Sequence, residues 1–189
     1  MILFMKKNIL FCIICIGLFF CLKEKNKDIY KVTLIDQNQQ KINWYNYHQY
    51  YKLVFLGYTN CPDICPLAVR TMDQVKLILG NKPLLLIFIT IDPERDIPDR
   101  LKNYLSNFKS QIIGLTGNKE DLYVFYRYFN ISYKLESLIK TNHKDHNTIY
   151  GYNHTPFIYF LSPEDDIIKT FPTGISSNTL SKELRNYLD

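Results

Sequence analysis

Two almost uninterrupted apolar runs, residues 52–58 (KLVFLGY) and 83–91 (PLLLIFITI), constrain this chain more than any other feature. A strand that is apolar on both faces must be buried on both, which is the condition of a central strand in a sheet covered by helices. Between the runs, Ala68, Met72, Val75 and Leu79 share one face of residues 66–80, and Gly80 closes that predicted helix. Strand, helix and strand in this order imply a layered α/β fold with right-handed crossovers.

The flanking sequence extends the same pattern. Residues 30–36 read as a strand, and the polar, aromatic stretch 37–50 as a loop or short hairpin. Pro98 opens a helix whose Leu101, Tyr104, Leu105 and Phe108 share a face. A short strand follows at 111–115, then Asn118 as N-cap and an aromatic-rich helix over 121–129. Residues 131–148 carry no clear element signal. Residues 156–161 and 166–171 read as two antiparallel strands joined by Ser-Pro-Glu-Asp, and 177–188 as a closing amphipathic helix. No repeat or linker divides this body, so residues 28–189 are read as one domain.

The first 27 residues differ in kind. After Lys6 and Lys7, residues 8–22 (NILFCIICIGLFFCL) are uncharged, and a polar KEKNKD stretch follows. This is the pattern of a signal peptide or a short signal anchor. The run is shorter than the roughly 20 residues that span a hydrocarbon core, a gap that tilt and bilayer thinning can close. No small-x-small cleavage site precedes the body, which favours an uncleaved membrane anchor over residues 1–27; a lipid-modified Cys21 is a third reading. The net charge of +5 sits largely here, because residues 1–27 hold five of the 23 basic residues and one of the 18 acidic ones. The body therefore has a net charge near +1 and no electrostatic footprint for DNA or RNA.

Cys12, Cys15 and Cys21 fall in the apolar run and read as small hydrophobes. Cys61 and Cys65 are the only thiols of the body, in Cys61-Pro-Asp-Ile-Cys65 between the first buried strand and the first helix. That junction is where an α/β sheet exposes its ligand-binding edge. Pro66 is best placed at the first helical position, which puts Cys65 at or near the N-cap and Cys61 in the loop above it. A helix N-terminus favours a thiolate, the form that ligates metals and attacks disulfides. Two thiols on one loop can close into a disulfide or chelate one soft ion such as Cu(I) or zinc. Inert buried thiols are the alternative.

A two-thiolate metal site calls for a third ligand. Of the four histidines, His48, His143, His146 and His154, the last precedes Thr155-Pro156 and the apolar strand FIYFL. His154 reaches the same sheet edge if that strand neighbours the one ending at Tyr58. His143 and His146 form a His-x-x-His in a polar loop and read as solvated residues. Asp92-Pro93-Glu94-Arg95-Asp96 follows the second buried strand, where its acids either orient a ligand or partner or form a charged turn before the next helix.

GYTNCPDICP at 57–66, TIDPERDIPDRLKNYL at 90–105, GLTGNKEDL at 114–122 and NHTPFIYFLSPED at 153–165 together resemble the Sco/SenC family. The resemblance implies a thioredoxin-like α/β fold, with a central mixed sheet flanked by helices, tethered by an N-terminal membrane anchor. It implies a copper ion held by Cys61, Cys65 and His154, and a role in assembling the copper A centre of cytochrome c oxidase. The partners it implies are the copper A subunit and an upstream copper donor protein. The location it implies is the bacterial inner membrane with a periplasmic domain, or the intermembrane-space face of the mitochondrial inner membrane. Asn153 stands where family members commonly have Asp, and Pro156, less usual at its place, resembles the cis-proline opposite the cysteines of thioredoxins.

A metallochaperone is thus the leading expectation. A thiol-disulfide reductase that keeps the acceptor's cysteines reduced would use the same dithiol without His154, and a redox or copper sensor would use the site to control docking.

Overall fold

The computed structural model describes residues 28–131, 133–137, 150–154 and 157–188, the second and third segments as backbone. The N-terminal run with its three cysteines, His143, His146 and Pro156 lie outside the described residues. The body enters through a 3-10 turn at Asp28–Tyr30 and a hairpin of β1 (Thr33–Asp36) and β2 (Lys41–Asn43), and a second 3-10 turn spans Trp44–Tyr47. Then come β3 (Tyr51–Gly57), α1 (Ile64–Leu79), β4 (Leu84–Thr90), α2 (Pro98–Leu105), β5 (Ile112–Thr116) and α3 (Lys119–Tyr128). A hairpin of β6 (Tyr133–Ser137) and β7 (Tyr150–His154) follows, and β8 (Phe157–Leu161), β9 (Ile167–Pro172) and α4 (Ser177–Leu188) complete the chain.

Among the described residues, seven strands form one mixed sheet in the order β2-β1-β5-β4-β3-β8-β9. β3, β4 and β5 run parallel, and the pairs β1/β5, β3/β8 and β8/β9 are antiparallel. The two apolar runs occupy the centre: Leu53, Val54, Phe55, Phe88 and Ile87 are fully buried. α1 covers β3 and β4 with Ala68, Val69, Met72 and Val75, packs against α4, and ends at Gly80, whose N–H bonds Lys76 O at 2.9 Å. α2 lies on β5, where Gly114 leaves no room for a Cβ: one would come within 2.5 Å of Leu105 Cδ1. Among the described residues, no helix is long and apolar enough to cross a membrane.

The expected elements are present, with corrections at their ends. The first strand begins at Thr33 rather than 30, because residues 28–30 form the 3-10 turn that α3 packs on. The stretch 37–50 supplies the return strand of a hairpin and the turn that buries Trp44. Asn118 does cap α3, accepting from Asp121 N at 2.7 Å, so the helix starts at Lys119. In 131–148 the sequence showed no clear element, yet β6 lies there, paired with β7 in a separate two-stranded sheet. Its period-two pattern, Tyr133 and Leu135 against Lys134 and Glu136, was the available signal.

Candidate metal and thiol site

β3 ends at Gly57 and the chain turns at Tyr58, closed by Cys61 N–H donating to Tyr58 O at 3.2 Å. α1 then begins at Ile64 with Asp63 at the cap position. Pro66 is therefore the third helical residue rather than the first. It is still within the first turn, where a missing N–H leaves no intrahelical bond unmade. Cys65 consequently lies inside the helix, not at its cap, and is fully buried. Cys61 stays at the rim, partly exposed, and both are free thiols.

That shift decides which of the two sulfurs meets the helix N–H groups. Cys65 N–H points at Cys61 Sγ, 3.5 Å away. Donation from the Cys65 thiol, together with the backbone N–H groups of Asp63, Cys65 and Ile64, outweighs burial and holds Cys61 down at about 5. Its sulfur is a thiolate at neutral pH, stabilised by the N–H donors of a helix start. Cys65 moves the other way: the hydrogen bond to Cys61, burial and the Cys61 charge all push its thiol up. One sulfur is thus charged and accessible, and the second is protonated beneath it.

Gly57 makes the space for this arrangement. A Cβ there would come within 2.6 Å of Phe55 Cε1 and 2.8 Å of Cys65 Sγ, so only glycine lets the buried sulfur sit against the end of β3.

In the acidic loop after β4, Asp96 directly precedes the next helix, as the charged-turn reading expects, but the two aspartates turn inward. Asp92 and Asp96 are both fully buried. Asp92 pairs with the Arg95 guanidinium, which lies 5.8 Å over the Tyr58 ring. Asp96 accepts from Thr59 N at 2.9 Å, Thr59 Oγ1 at 2.5 Å and Thr90 Oγ1 at 2.7 Å. Burial raises its carboxyl, opposed by those bonds. Glu94 faces outward and pairs with Lys119 at 2.5 Å. Gly57 and Thr59 were not singled out from the sequence, where only their flanking of the cysteines could have pointed to them; Asp96 was, as one acid of the loop after β4.

His154 is the last residue of β7, opposite Tyr133 of β6. β8 starts three residues later and runs antiparallel to β3 with Ile158 opposite Phe55. The entry to β8 is therefore at the end of the sheet from which the cysteine loop leaves. The His154 side chain lies outside the described residues, and among those described no three His, Cys, Asp or Glu side chains form a metal-sized group. His48 is remote from the site: its Nδ1 lies 3.8 Å from Asp165 Oδ2, beside the turn between β8 and β9.

A mixed sheet with an accessible and a buried cysteine at a strand-to-helix turn defines a thioredoxin-like dithiol protein. Comparison with known proteins narrows the class. Residues 23–189 match the model of the SCO1/SenC family. An SCO2-like protein of Rickettsia typhi is 36% identical over 155 residues, covering 81% of this chain and 74% of that one. The copper-bound structure of Bradyrhizobium japonicum ScoI superimposes with a TM-score of 0.72 at 29% identity, over 82% of this chain and 96% of that one. BsSco, a member of the Sco family of cytochrome c oxidase assembly proteins, shares the fold at 20% identity and a TM-score of 0.58, over 82% and 89% of the two chains. The chain belongs to the SCO1/SenC family.

Proposed function

We propose that this protein is a copper-binding metallochaperone that assists assembly of the copper A centre of cytochrome c oxidase. Copper is its cargo, and Cys61, Cys65 and His154 are the ligands. The observation that carries the reading is the sulfur pair itself: a thiolate held at the rim by helix N–H groups, with a second thiol four residues on. Soft sulfur donors suit copper, imidazole suits it as well, and the entry of β8 at the same sheet end, three residues after His154, supports His154 as the third donor. The copper bound by ScoI supports the choice of metal. Binding to Cys65 releases its proton, so metal uptake and proton release are coupled. A three-ligand site leaves room for an incoming thiolate of the oxidase subunit, and copper passes by ligand exchange from an upstream donor to that acceptor.

Residues 1–27 would serve as the membrane anchor and 28–189 as the functional domain. The domain would face the periplasm from a bacterial inner membrane, or the intermembrane space from the mitochondrial one.

Copper titration of the full chain in detergent tests the ligand set. Cys61→Ser and Cys65→Ser are expected to abolish tight binding, and His154→Ala to weaken it and change the spectrum. Unchanged stoichiometry and affinity in His154→Ala would remove the third ligand.

The asymmetry of the two thiols favours one second reading, a thiol-disulfide reductase. The Cys61 thiolate attacks a substrate disulfide, one substrate sulfur leaves as thiolate, and Cys65, on losing its proton, displaces the second to leave a Cys61–Cys65 disulfide. Reductase activity retained in His154→Ala and lost in Cys61→Ser would favour this reading.

A further inference from the structure

Asp96 immediately precedes the start of α2 at Ile97-Pro98, yet its carboxylate faces the cysteine loop and is fully buried. It accepts three hydrogen bonds, two from Thr59 and one from Thr90, at 2.5–2.9 Å. Thr59 lies two residues before Cys61. Thr90 ends β4 and pairs in register with Gly57, the last residue of β3. One carboxylate therefore ties the ends of two central strands to the turn that delivers the cysteines. Burying a carboxylate is costly, and an apolar side chain of similar size commonly packs as well or better, so stability alone does not account for Asp96.

We propose that Asp96 is a positioning residue of the cysteine site, fixing the path of residues 58–61 through Thr59 so that Cys61 Sγ meets the Cys65 N–H at the start of α1. It deepens the copper reading above and rests on it for the metal. The flanking contacts fit the same role: Ile91 N–H donates to Gly57 O at 2.8 Å, and Arg95 covers the Tyr58 ring. The segment 91–96 is a cradle for the turn, with Asp96 its main tie.

The test uses the reduced, metal-free full chain in detergent, with thermal melting as the check of folding. The first readout is the ratio of Cys61 to Cys65 alkylation rates at pH 6, and the second is the sulfur-to-copper absorption after one equivalent of Cu(II). Asp96→Ala is expected to lower the ratio at least about tenfold, since thiolate reactivity follows its donors, and to weaken and shift the absorption. Thr59→Val changes both in the same direction. Asp96→Asn, which keeps the shape and an acceptor for Thr59 N–H, restores most of the ratio. If Asp96→Ala does not fold, Thr59→Val and Asp96→Asn decide. Folded variants with an unchanged ratio and spectrum overturn the proposal, and so does Asp96→Asn failing as fully as Asp96→Ala, which would assign the effect to charge. Wild-type protein that takes up no copper sinks the chaperone reading while the alkylation ratio still decides the role of Asp96.

Discussion

Cys61 and Cys65 share a loop but not a chemistry. The spacing and the strand-to-helix position were legible in the sequence; which sulfur is the thiolate was not. That depends on where α1 starts, and a two-residue shift from Pro66 to Ile64 moves Cys65 into the helix and turns the N–H groups of the helix start to Cys61. The outcome is measurable in the pH profile of alkylation. Thiolate, not thiol, reacts, so the Cys61 rate rises with pH through a midpoint of about 5 and is flat above it, while Cys65 reacts far more slowly at neutral pH. Cys65→Ala removes the largest donor and raises the midpoint. A wild-type midpoint near the ordinary thiol value of about 8.5 would show that the N–H groups do not hold a thiolate.

The elements follow local signals where those signals are strong. Pro98 does open α2, and Asn118 caps α3 with its side chain on Asp121 N–H. Because that bond satisfies an otherwise orphaned donor, Asn118→Ala is expected to cost about 1 kcal/mol of stability, and Asn118→Gly less, in chemical denaturation. A loss indistinguishable from zero would mean that packing of Leu122 and Phe125 alone holds the first turn. The β6/β7 hairpin escaped notice because its alternation is short and it pairs outside the main sheet, so no long apolar run announces it. It bears directly on function, since His154 is its last residue.

Across the whole molecule, one buried polar group joins distant segments. Asp165 sits in the β8–β9 turn with φ of +70° and accepts from Tyr30 Oη at 2.6 Å, Trp44 Nε1 at 2.9 Å and Lys52 Nζ at 2.8 Å. Tyr128 of α3 donates to its carbonyl. Both Lys52 and Asp165 are fully buried, and burial lowers the Lys52 ammonium against the pull of its partner. Lys52 opened an otherwise apolar run and carried no hint of a partner 113 positions away, which contact across the sheet alone supplies. Removing one member of such a pair leaves a buried charge, so Asp165→Ala is expected to lose about 3–5 kcal/mol in urea unfolding. A loss below about 1 kcal/mol, the scale of an exposed pair, would show that water reaches Lys52. Apolar periodicity and a helix-opening proline act between neighbours along the chain. The sequence by itself therefore determined the α/β layering, the central strands and the dithiol loop at the sheet's edge. The inward turn of Asp92 and Asp96, the clamp on Thr59, the Lys52–Asp165 pair and the charge of Cys61 over Cys65 were decided only by the tertiary structure. Each depends on burial within the closed sheet; the clamp and the Lys52–Asp165 pair also need donors from distant segments, and the Cys61 charge needs the exact start of α1.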